Sequence, residues 1–317
     1  MDKIFEWGHS RRYNDYPTYI KNKFGGRVQK ISVNVGFSCP NRDGTKGTGG
    51  CIYCDNITFK PGYCEPGKTV TDQLNRGVDF FSKKYPDMKF MAYFQSYTNT
   101  YAPVENLKKL YYEAISVPNI VSLVIGTRPD CISKELLEML AEINRNIPVT
   151  IEFGLESTND KTLKEINRCH TWNDSLNAIK MCADVGIDTC GHIILGLPGE
   201  SDSDMLTHAK IISELPLTSI KLHQLQIIKN TKLANIFASN PNYVKLFSLD
   251  DYLVFIIRFL ELLNPKIIIE RFVSVSPIEK LIAPKWNRMK NFEIVAKIEK
   301  ALINNDTWQG KYFQSKT

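Results

Sequence analysis

Six apolar, β-branched runs alternate with amphipathic helical stretches, and this alternation constrains the fold more than any other feature of the chain. The runs span residues 31–35, 90–95, 120–126, 148–154, 187–196 and 219–228. Each is followed by a stretch with helical periodicity, such as the one over residues 160–168. Six βα units in series predict a parallel sheet with crossover helices. Periodicity alone fits both an open doubly wound sheet and a partial barrel.

The same pattern divides the 317-residue chain into three parts. Residues 28–230 contain the six units and form the predicted core. Residues 1–27 are a basic, aromatic segment without a clear period. Residues 231–317 form an extension that we expect to pack on the core. It has a helix over 249–263, a strand over 266–272 and a basic tail with a last helix over 291–304.

The sequence predicts a cytoplasmic protein that does not enter a membrane. The longest strongly apolar stretch, residues 253–263, contains Arg258 and Glu261 and is too short to span a bilayer. The first residues include Asp2, Lys3 and Glu6 and lack an apolar signal region. In the cytosol, eight cysteines indicate metal ligands, a catalytic thiol or core residues rather than a disulfide frame.

Positive charge is concentrated at the two ends of the chain. The net charge is +6, but residues 1–30 carry seven Lys/Arg against three Asp/Glu, and residues 265–317 carry ten against five. A basic surface built from both ends would suit a polyanion such as RNA. Ordinary solubilising charge is the alternative explanation.

Three cysteines follow the first apolar run, in the sequence Cys39-Pro-Asn-Arg-Asp-Gly-Thr-Lys-Gly-Thr-Gly-Gly-Cys51-Ile-Tyr-Cys54. The four glycines of this loop let its backbone wrap closely around a metal centre. Three thiolates are too few for a closed tetrahedral zinc site, but they suit a 4Fe–4S cluster with one open iron. Cys64 could act as a fourth ligand, which would give a zinc site or a closed cluster.

The other four cysteines are more typical of core residues. Cys182 shares an apolar helix face, and Cys190 lies in an apolar strand. Cys131 and Cys169 border predicted elements. We therefore expect these four to be structural.

The pattern Cys39-x11-Cys51-x2-Cys54, with Tyr53 before the last cysteine, resembles the cluster motif of the radical S-adenosylmethionine (SAM) superfamily. Its long glycine-rich loop is similar to that of the YhcC/YtqA-type branch, which is related to the Elongator catalytic-subunit and oxygen-independent coproporphyrinogen oxidase groups. Further similar segments lie at residues 95–101, 126–130, 152–157, 167–170 and 192–200. The resemblance covers about residues 16–275.

This resemblance implies a partial (β/α)6 TIM-like barrel that binds a 4Fe–4S cluster through Cys39, Cys51 and Cys54. It implies reductive cleavage of SAM to a 5′-deoxyadenosyl radical. It also implies the SAM contacts. Tyr53 would contact the adenine, Gln95 and Ser96 the methionine amino group, and Glu152 the ribose or amino group. Arg168 would pair with the carboxylate, and Ile194 and Gly196 would pack near the adenine or ribose. Many relatives have Gly-Gly-Glu where this chain has Gln95-Ser96.

The substrate implied by the YtqA-type resemblance is the wobble uridine of tRNA, whose 5-carboxymethylaminomethyl group would become 5-aminomethyl. Basic, aromatic segments at residues 7–23 and 285–290 could contact the RNA or could plug the bottom of the barrel. Reduced flavodoxin or ferredoxin is the expected electron donor. Two alternatives are a radical SAM enzyme for a small molecule or protein and a non-enzymatic zinc or Fe–S RNA-binding protein.

Overall fold

The computed structural model describes residues 3–55, 61–65, 67–83, 85 and 87–315. Its strands are β1 (Val28–Val33), β2 (Lys89–Phe94), β3 (Ile120–Thr127), β4 (Val149–Glu156), β5 (Asp188–Leu195), β6 (Ser219–Gln224), β7 (Ile227–Ile228), β8 (Ile268–Arg271) and β9 (Leu281–Ala283). Its helices are α1 (Tyr16–Phe24), α2 (Val70–Ser82), α3 (Val104–Ile115), α4 (Lys134–Asn144), α5 (Asp160–Glu165), α6 (Trp172–Asp184), α7 (Asp202–Ser213), α8 (Lys232–Ser239), α9 (Leu249–Leu262) and α10 (Asn291–Asn304).

Seven of these strands form one parallel sheet in the order β1-β2-β3-β4-β5-β6-β8. The order follows the chain, so the sheet curls in one direction instead of reversing as a doubly wound sheet does. The α/β partial barrel that the resemblance implied is confirmed. The predicted strand over 266–272 is β8, which joins the main sheet beside β6. The predicted run over 219–228 is divided between β6 and β7, and β7 pairs with β9 instead.

The two faces of the sheet differ sharply in polarity. Side chains such as Ile31, Phe94 and Phe153 are fully buried in the large core against the outer helices. Alternate residues point into the barrel, and many of these are polar, including Lys30, Glu152 and Lys221. A strand's period of two thus separates an apolar outer layer from a charged interior.

Helix α1 closes the bottom of the barrel, at the amino ends of the strands. Its Ile20 is buried with Met91, Tyr93 and Val124 in a separate apolar cluster. Asp15 caps the helix by accepting a hydrogen bond from the Thr18 backbone. The helix therefore fills the gap that the partial barrel leaves at its amino-terminal end.

Several helix ends match their sequence signals. Ser133 caps α4, and Ser201 with Asp204 forms a capping box at the start of α7. The predicted helix over 160–168 is shorter than expected: α5 ends at Glu165, and Asn167 has a left-handed φ of 54°. Arg168 therefore lies on a loop, where its side chain can turn back toward the strands. Within the described part of the chain, the helices are too short or too polar to serve as membrane spans.

Candidate functional site

A cavity of about 270 Å³ opens at the carboxyl ends of the barrel strands. Parallel α/β folds build their sites at this end because the loops that follow the strands converge there. Its wall includes Cys39, Cys51, Tyr53, Cys54, Tyr93, Gln95, Tyr97, Arg128, Glu152, Gly154, Glu156, Arg168, His192, Ile194, Lys221, His223, Gln224, Arg271 and Ser274. The structure therefore brings the three predicted cluster cysteines to one space.

Local backbone hydrogen bonds shape the cysteine loop, residues 39–54. The amide of Arg42 donates to the Cys39 carbonyl oxygen at 2.7 Å, and the amide of Cys54 donates to that of Cys51 at 3.1 Å. Gly49 and Gly50 adopt φ values of 76° and 74°, which side chains rarely tolerate. These turns place the three cysteines on the same cavity.

Two neighbouring segments hold this loop over the barrel. The Ile52 amide donates to the Ile166 carbonyl oxygen at 3.1 Å, and the Asn167 side chain donates to the Gly50 carbonyl oxygen at 2.8 Å. The Leu233 amide at the start of α8 donates to the Ile52 carbonyl oxygen at 2.8 Å. The loop is therefore fixed to the α5–α6 turn and to α8.

The chemistry of the three cysteines fits a thiophilic metal cluster. Burial, with a contribution from Cys51, raises the pKa of the Cys54 thiol to about 11, so a bound cation is needed to hold it as a thiolate at neutral pH. Two donors point at the Cys51 sulfur: Asn41 Nδ2 at 3.6 Å and Arg168 Nη1 at 3.7 Å. Such hydrogen bonds stabilise sulfur ligands and tune a cluster's potential.

Cys64 lies outside this group. Its thiol is buried and donates to the Ser32 carbonyl oxygen at 3.1 Å and to Gln73 Oε1 at 3.3 Å. It is absent from the wall of the cavity that contains Cys39, Cys51 and Cys54. This position does not support the alternative in which Cys64 is a fourth ligand.

The remaining four cysteines are in different environments. Cys182 is fully buried in the large core, as expected. Cys190 is also fully buried, but it faces the barrel interior, where its sulfur lies within 4.8 Å of ligand atoms of Glu152 and His192. Cys131 and Cys169 are half-buried.

Five of the seven predicted SAM-binding residues line the cavity: Tyr53, Gln95, Glu152, Arg168 and Ile194. Gln95 Oε1 accepts a hydrogen bond from Ser32 Oγ at 3.0 Å. Ser96 is half-buried on the turn after β2, and Gly196 packs near Leu225 and the Lys245 carbonyl oxygen. Neither Ser96 nor Gly196 is part of the cavity wall.

Arg168 is a buried basic residue that contacts the cysteine loop. Its Nη2 donates to the Gly154 carbonyl oxygen at 2.6 Å and lies 3.6 Å from Glu156 Oε1. Its Nε is buried and has no hydrogen-bond partner among the described atoms, and the same is true of Arg128 Nη1. Both side chains line the cavity, and each has one buried nitrogen whose hydrogen-bonding capacity no described atom satisfies.

Glu156 is a site residue that the sequence reasoning missed. The β4–β5 register shifts between Gly154 and Glu156, and Glu156 has a left-handed φ of 67°. This bulge turns its carboxylate toward Arg168. Gly154 makes the space, because a side-chain carbon there would lie 2.5 Å from Glu156 Oε1 and 2.7 Å from Arg168 Nη2. The family-like segment 152–157 contains both glutamates, and only the bulge shows that Glu156 rather than Glu152 approaches Arg168.

Glu152 is the centre of a buried ionic network instead. Its oxygens accept hydrogen bonds from Lys30 at 2.7 Å, Tyr93 at 2.6 Å and Lys221 at 2.5 Å. His192 Nε2 lies 3.1 Å from the same carboxylate. Burial would raise the pKa of Glu152, but Lys221 and Lys30 outweigh it and hold the pKa well below its usual value. Both oxygens are therefore already used by protein groups.

The two basic segments occupy different positions. In the amino-terminal segment, Arg11 pairs with Asp15 and Glu299, while Tyr13 is buried against Phe272. This segment packs at the bottom of the barrel, which was the alternative to a role in contacting RNA. In the carboxyl-terminal segment, Trp286 packs against Tyr252 and donates to the Phe247 carbonyl oxygen. Its basic residues Lys285, Arg288 and Lys290 are exposed.

Other exposed basic residues belong to the cavity wall or to segments next to it. Arg42 and Arg271 are part of its wall. Lys232 reaches the cysteine loop, because a side-chain carbon on Gly49 would lie 2.5 Å from its Nζ. Lys229 directly follows the wall residue Ile228. The basic surface nearest the candidate site therefore comes mainly from the core and β8.

Comparisons with known proteins agree with this geometry. Residues 34–212 match the family described as the radical SAM superfamily, and residues 217–304 match the radical SAM C-terminal domain. The uncharacterized protein YtqA of Bacillus subtilis strain 168 is 33% identical over 304 residues, which are 96% of this chain and 94% of YtqA. Protein YhcC of Escherichia coli K12 is 34% identical over 269 residues, covering 84% of this chain and 85% of YhcC.

A solved structure shares the fold. Amino-terminally truncated Elp3 of the archaeon Methanocaldococcus infernus superposes with a TM-score of 0.67 at 15% identity. The match covers 89% of this chain but only 64% of that chain, which is less than two thirds of its length. At this identity the likeness concerns the partial barrel and leaves substrate and partners open.

Proposed function

Because the chain belongs to the radical SAM superfamily, we propose that it modifies tRNA at the wobble uridine, converting a 5-carboxymethylaminomethyl group to 5-aminomethyl. Members of this superfamily use a 4Fe–4S cluster and SAM, and they need a reductant. When bound, these groups supply a 5′-deoxyadenosyl radical that abstracts hydrogen from carbon. Loss of one more electron from the carbon radical to a one-electron acceptor, such as the oxidised cluster, would give an imine, and water would hydrolyse this imine to the 5-aminomethyl group and glyoxylate, which carries the two carboxymethyl carbons. Reduced flavodoxin or ferredoxin would supply the electron.

Cys39, Cys51 and Cys54 would hold the cluster through three thiolates. Their common position on one cavity supports this role, as does the separate hydrogen bonding of Cys64. The donors Asn41 and Arg168 would stabilise the sulfur of Cys51.

SAM would bind beside the same cysteines. Arg168 and Arg128 each have a buried N–H group without a partner among the described atoms, and these groups suit a carboxylate. Tyr53 and Ile194 offer ring and apolar surface for the adenine, and Gln95 offers an amide for the amino group. We assign the acceptor role for the ribose or amino group to Glu156 rather than Glu152, because the oxygens of Glu152 are occupied.

The observation that carries the tRNA proposal is the group of exposed cations on or next to the cavity wall: Arg42, Lys229 and Lys232. Such a group can bind the phosphates on either side of a nucleotide whose base enters the cavity. A wobble base lies in a single-stranded loop, where bases can be splayed out for recognition. The YtqA-type resemblance supports the same substrate.

Mass spectrometry of tRNA nucleosides from a deletion strain tests this proposal. We expect 5-aminomethyl derivatives to disappear and 5-carboxymethylaminomethyl derivatives to accumulate, with recovery on expression of the wild-type chain but not of a Cys54→Ala variant. An unchanged set of uridine derivatives would reject the tRNA substrate.

Binding measurements separate tRNA from a small-molecule or protein substrate. The purified protein should bind tRNA with an affinity that falls steeply as salt rises, because neutralised phosphates release counterions. SAM cleavage without salt-dependent tRNA binding would favour a different substrate for the same radical chemistry.

A further inference from the structure

The interior of the barrel contains a cluster of two lysines and two glutamates whose charges cancel. Lys30 Nζ lies 2.7 Å from both Glu152 and Glu270, which connects β1 to β4 and to β8. Lys221 Nζ lies 2.5 Å from Glu152 and 3.7 Å from Glu270. Two lysines face two glutamates, so this cluster has no charge left for a ligand.

Arg271 adds a cation next to this balanced cluster. It ends β8, is exposed, and lines the cavity together with Lys221. Among the residues that the structure describes, no carboxylate lies within ion-pair distance of its guanidinium. Its charge is close enough to act on two buried neighbours. Burial chiefly lowers the pKa of His223, and Arg271 lowers it further; burial raises the pKa of Tyr93 well above its usual value, and Arg271 opposes that rise.

Neutral hydrogen-bonding groups surround Arg271. His223 Nδ1 lies 2.5 Å from Ser274 Oγ, which leaves Nε2 of the ring for another partner. Burial, with the charges of His192, Arg271 and Lys221, keeps the pKa of His223 well below its usual value, so the ring is neutral. Gln224 fixes the Ser274 backbone by accepting from its amide at 2.7 Å and donating to its carbonyl oxygen at 3.1 Å. We call Lys221, His223, Gln224, Arg271 and Ser274 the β6–β8 wall.

We propose that Arg271, assisted by His223, forms a subsite that binds a carboxylate of the substrate. The uncompensated charge at the edge of a balanced cluster calls for one anionic group, and the planar guanidinium matches a carboxylate in two parallel hydrogen bonds. The neutral imidazole can donate a third hydrogen bond. This inference rests on the proposed function only for the identity of the carboxylate, which would be that of the 5-carboxymethylaminomethyl group.

A carboxylate subsite would also separate substrate from product. The side-chain amine is cationic in both substrate and product, but only the substrate adds a carboxylate, so Arg271 would bind the substrate and find no anion on the product. Sites built to bind a polar group reject analogues that lack it, because their own groups are then left unpaired. Product release would follow from the loss of this contact.

Fluorescence anisotropy with labelled anticodon stem-loops tests the subsite on reconstituted protein with SAM and without reductant. Two RNAs of identical sequence would carry either the 5-carboxymethylaminomethyl or the 5-aminomethyl uridine. We expect the wild type to prefer the first by about tenfold or more, the range of a charge-assisted hydrogen bond. Arg271→Gln should reduce this preference to near one. Arg258→Gln, which removes an exposed arginine on α9, should preserve it.

An equal loss of affinity for both RNAs in Arg271→Gln would assign this residue to a backbone phosphate and overturn the proposal. An unchanged preference in that variant would overturn it as well. If the wild type binds neither RNA, the tRNA proposal fails, and N-benzylglycine against benzylamine serves as a second pair of probes, measured by calorimetry with SAM present. Arg271-dependent preference for N-benzylglycine would support the carboxylate subsite without tRNA, whereas no preference would overturn it.

Discussion

Two walls of one cavity differ in the elements that form them and in the interactions that hold them. The cysteine wall (Cys39, Cys51 and Cys54 with Arg168 and Glu156) is made by loops and a bulge, and backbone hydrogen bonds hold it. The β6–β8 wall projects from strands, beside a network of buried ion pairs. The cysteine wall lies within residues 34–212, matched by the superfamily, and the β6–β8 wall lies within residues 217–304, matched by the C-terminal domain.

This difference suggests a division of labour. A loop rich in glycine can adapt its backbone to a cofactor that is the same throughout a superfamily. Strand residues placed at a fixed register can be exchanged one at a time without disturbing that loop. We therefore expect changes to the cysteine wall to impair cofactor binding and radical chemistry, and changes to the β6–β8 wall to alter which substrate is accepted.

The largest expected effect distinguishes a proposed cluster ligand in the cysteine wall from a cysteine that only fills the core. Cys54→Ala removes one of three proposed thiolate ligands, so the reconstituted protein should bind less iron and sulfide and should form no 5′-deoxyadenosine. Cys182→Ala, in the fully buried core on α6, should keep both properties with only a loss of stability. Iron counting and a 5′-deoxyadenosine assay under anaerobic conditions measure the two. Equal losses of cluster in both variants would contradict this sorting of the cysteines.

The next effect tests whether Glu152 is a structural centre or a cofactor ligand. Glu152→Gln leaves Lys30 and Lys221 buried with only Glu270 as counter-ion, so the free energy of unfolding at pH 7 should fall by about 3–5 kcal/mol. Denaturant titration measures this loss. Glu138→Gln breaks only an exposed pair with Lys134 on α4 and should cost less than about 0.5 kcal/mol.

Glu152→Gln should also change how the free energy of unfolding depends on pH. Because Lys221 and Lys30 hold the folded-state pKa of Glu152 well below its unfolded value, its ion pairs stabilise the fold above the unfolded pKa. That stabilisation is lost as the pH falls through the lowered folded-state pKa. Wild-type stability should therefore fall more steeply with acid than that of Glu152→Gln, and the two should converge. A constant difference across the acid range would exclude this linkage.

The sequence was informative where a local pattern determines the structure. The alternation of strand and helix periods predicted the order of the βα units, and Ser133 and Ser201, a residue type that favours helix starts, cap α4 and α7. The cysteine spacing predicted which three thiols share a cavity. Each of these features depends on residues a few positions apart, and so it can be read without tertiary contacts.

Features that depend on distant contacts could not be predicted. The role of Glu152 depends on Lys30 and Lys221, which lie 122 and 69 residues away. Glu156 enters the site because of a register shift that alternation does not show. The basic amino-terminal segment forms ion pairs with Asp306 and Glu299, and these partners lie at the other end of the chain, so its packing could not be predicted from local sequence.

The smallest of these effects concerns the cysteine wall itself. Glu156→Gln keeps the shape of the side chain but replaces the charged acceptor proposed for the ribose or amino group with a neutral one, so it should weaken SAM binding by about tenfold to a hundredfold, the range of a hydrogen bond to a charged acceptor. Calorimetry on the reconstituted protein measures this affinity. Because Glu156 is outside the interior charge cluster, folded stability should change much less than in Glu152→Gln. If folded Glu152→Gln protein instead shows the weaker SAM binding at pH 7 and Glu156→Gln binds normally, the two carboxylates exchange roles, and the interior network would have to open to admit the cofactor.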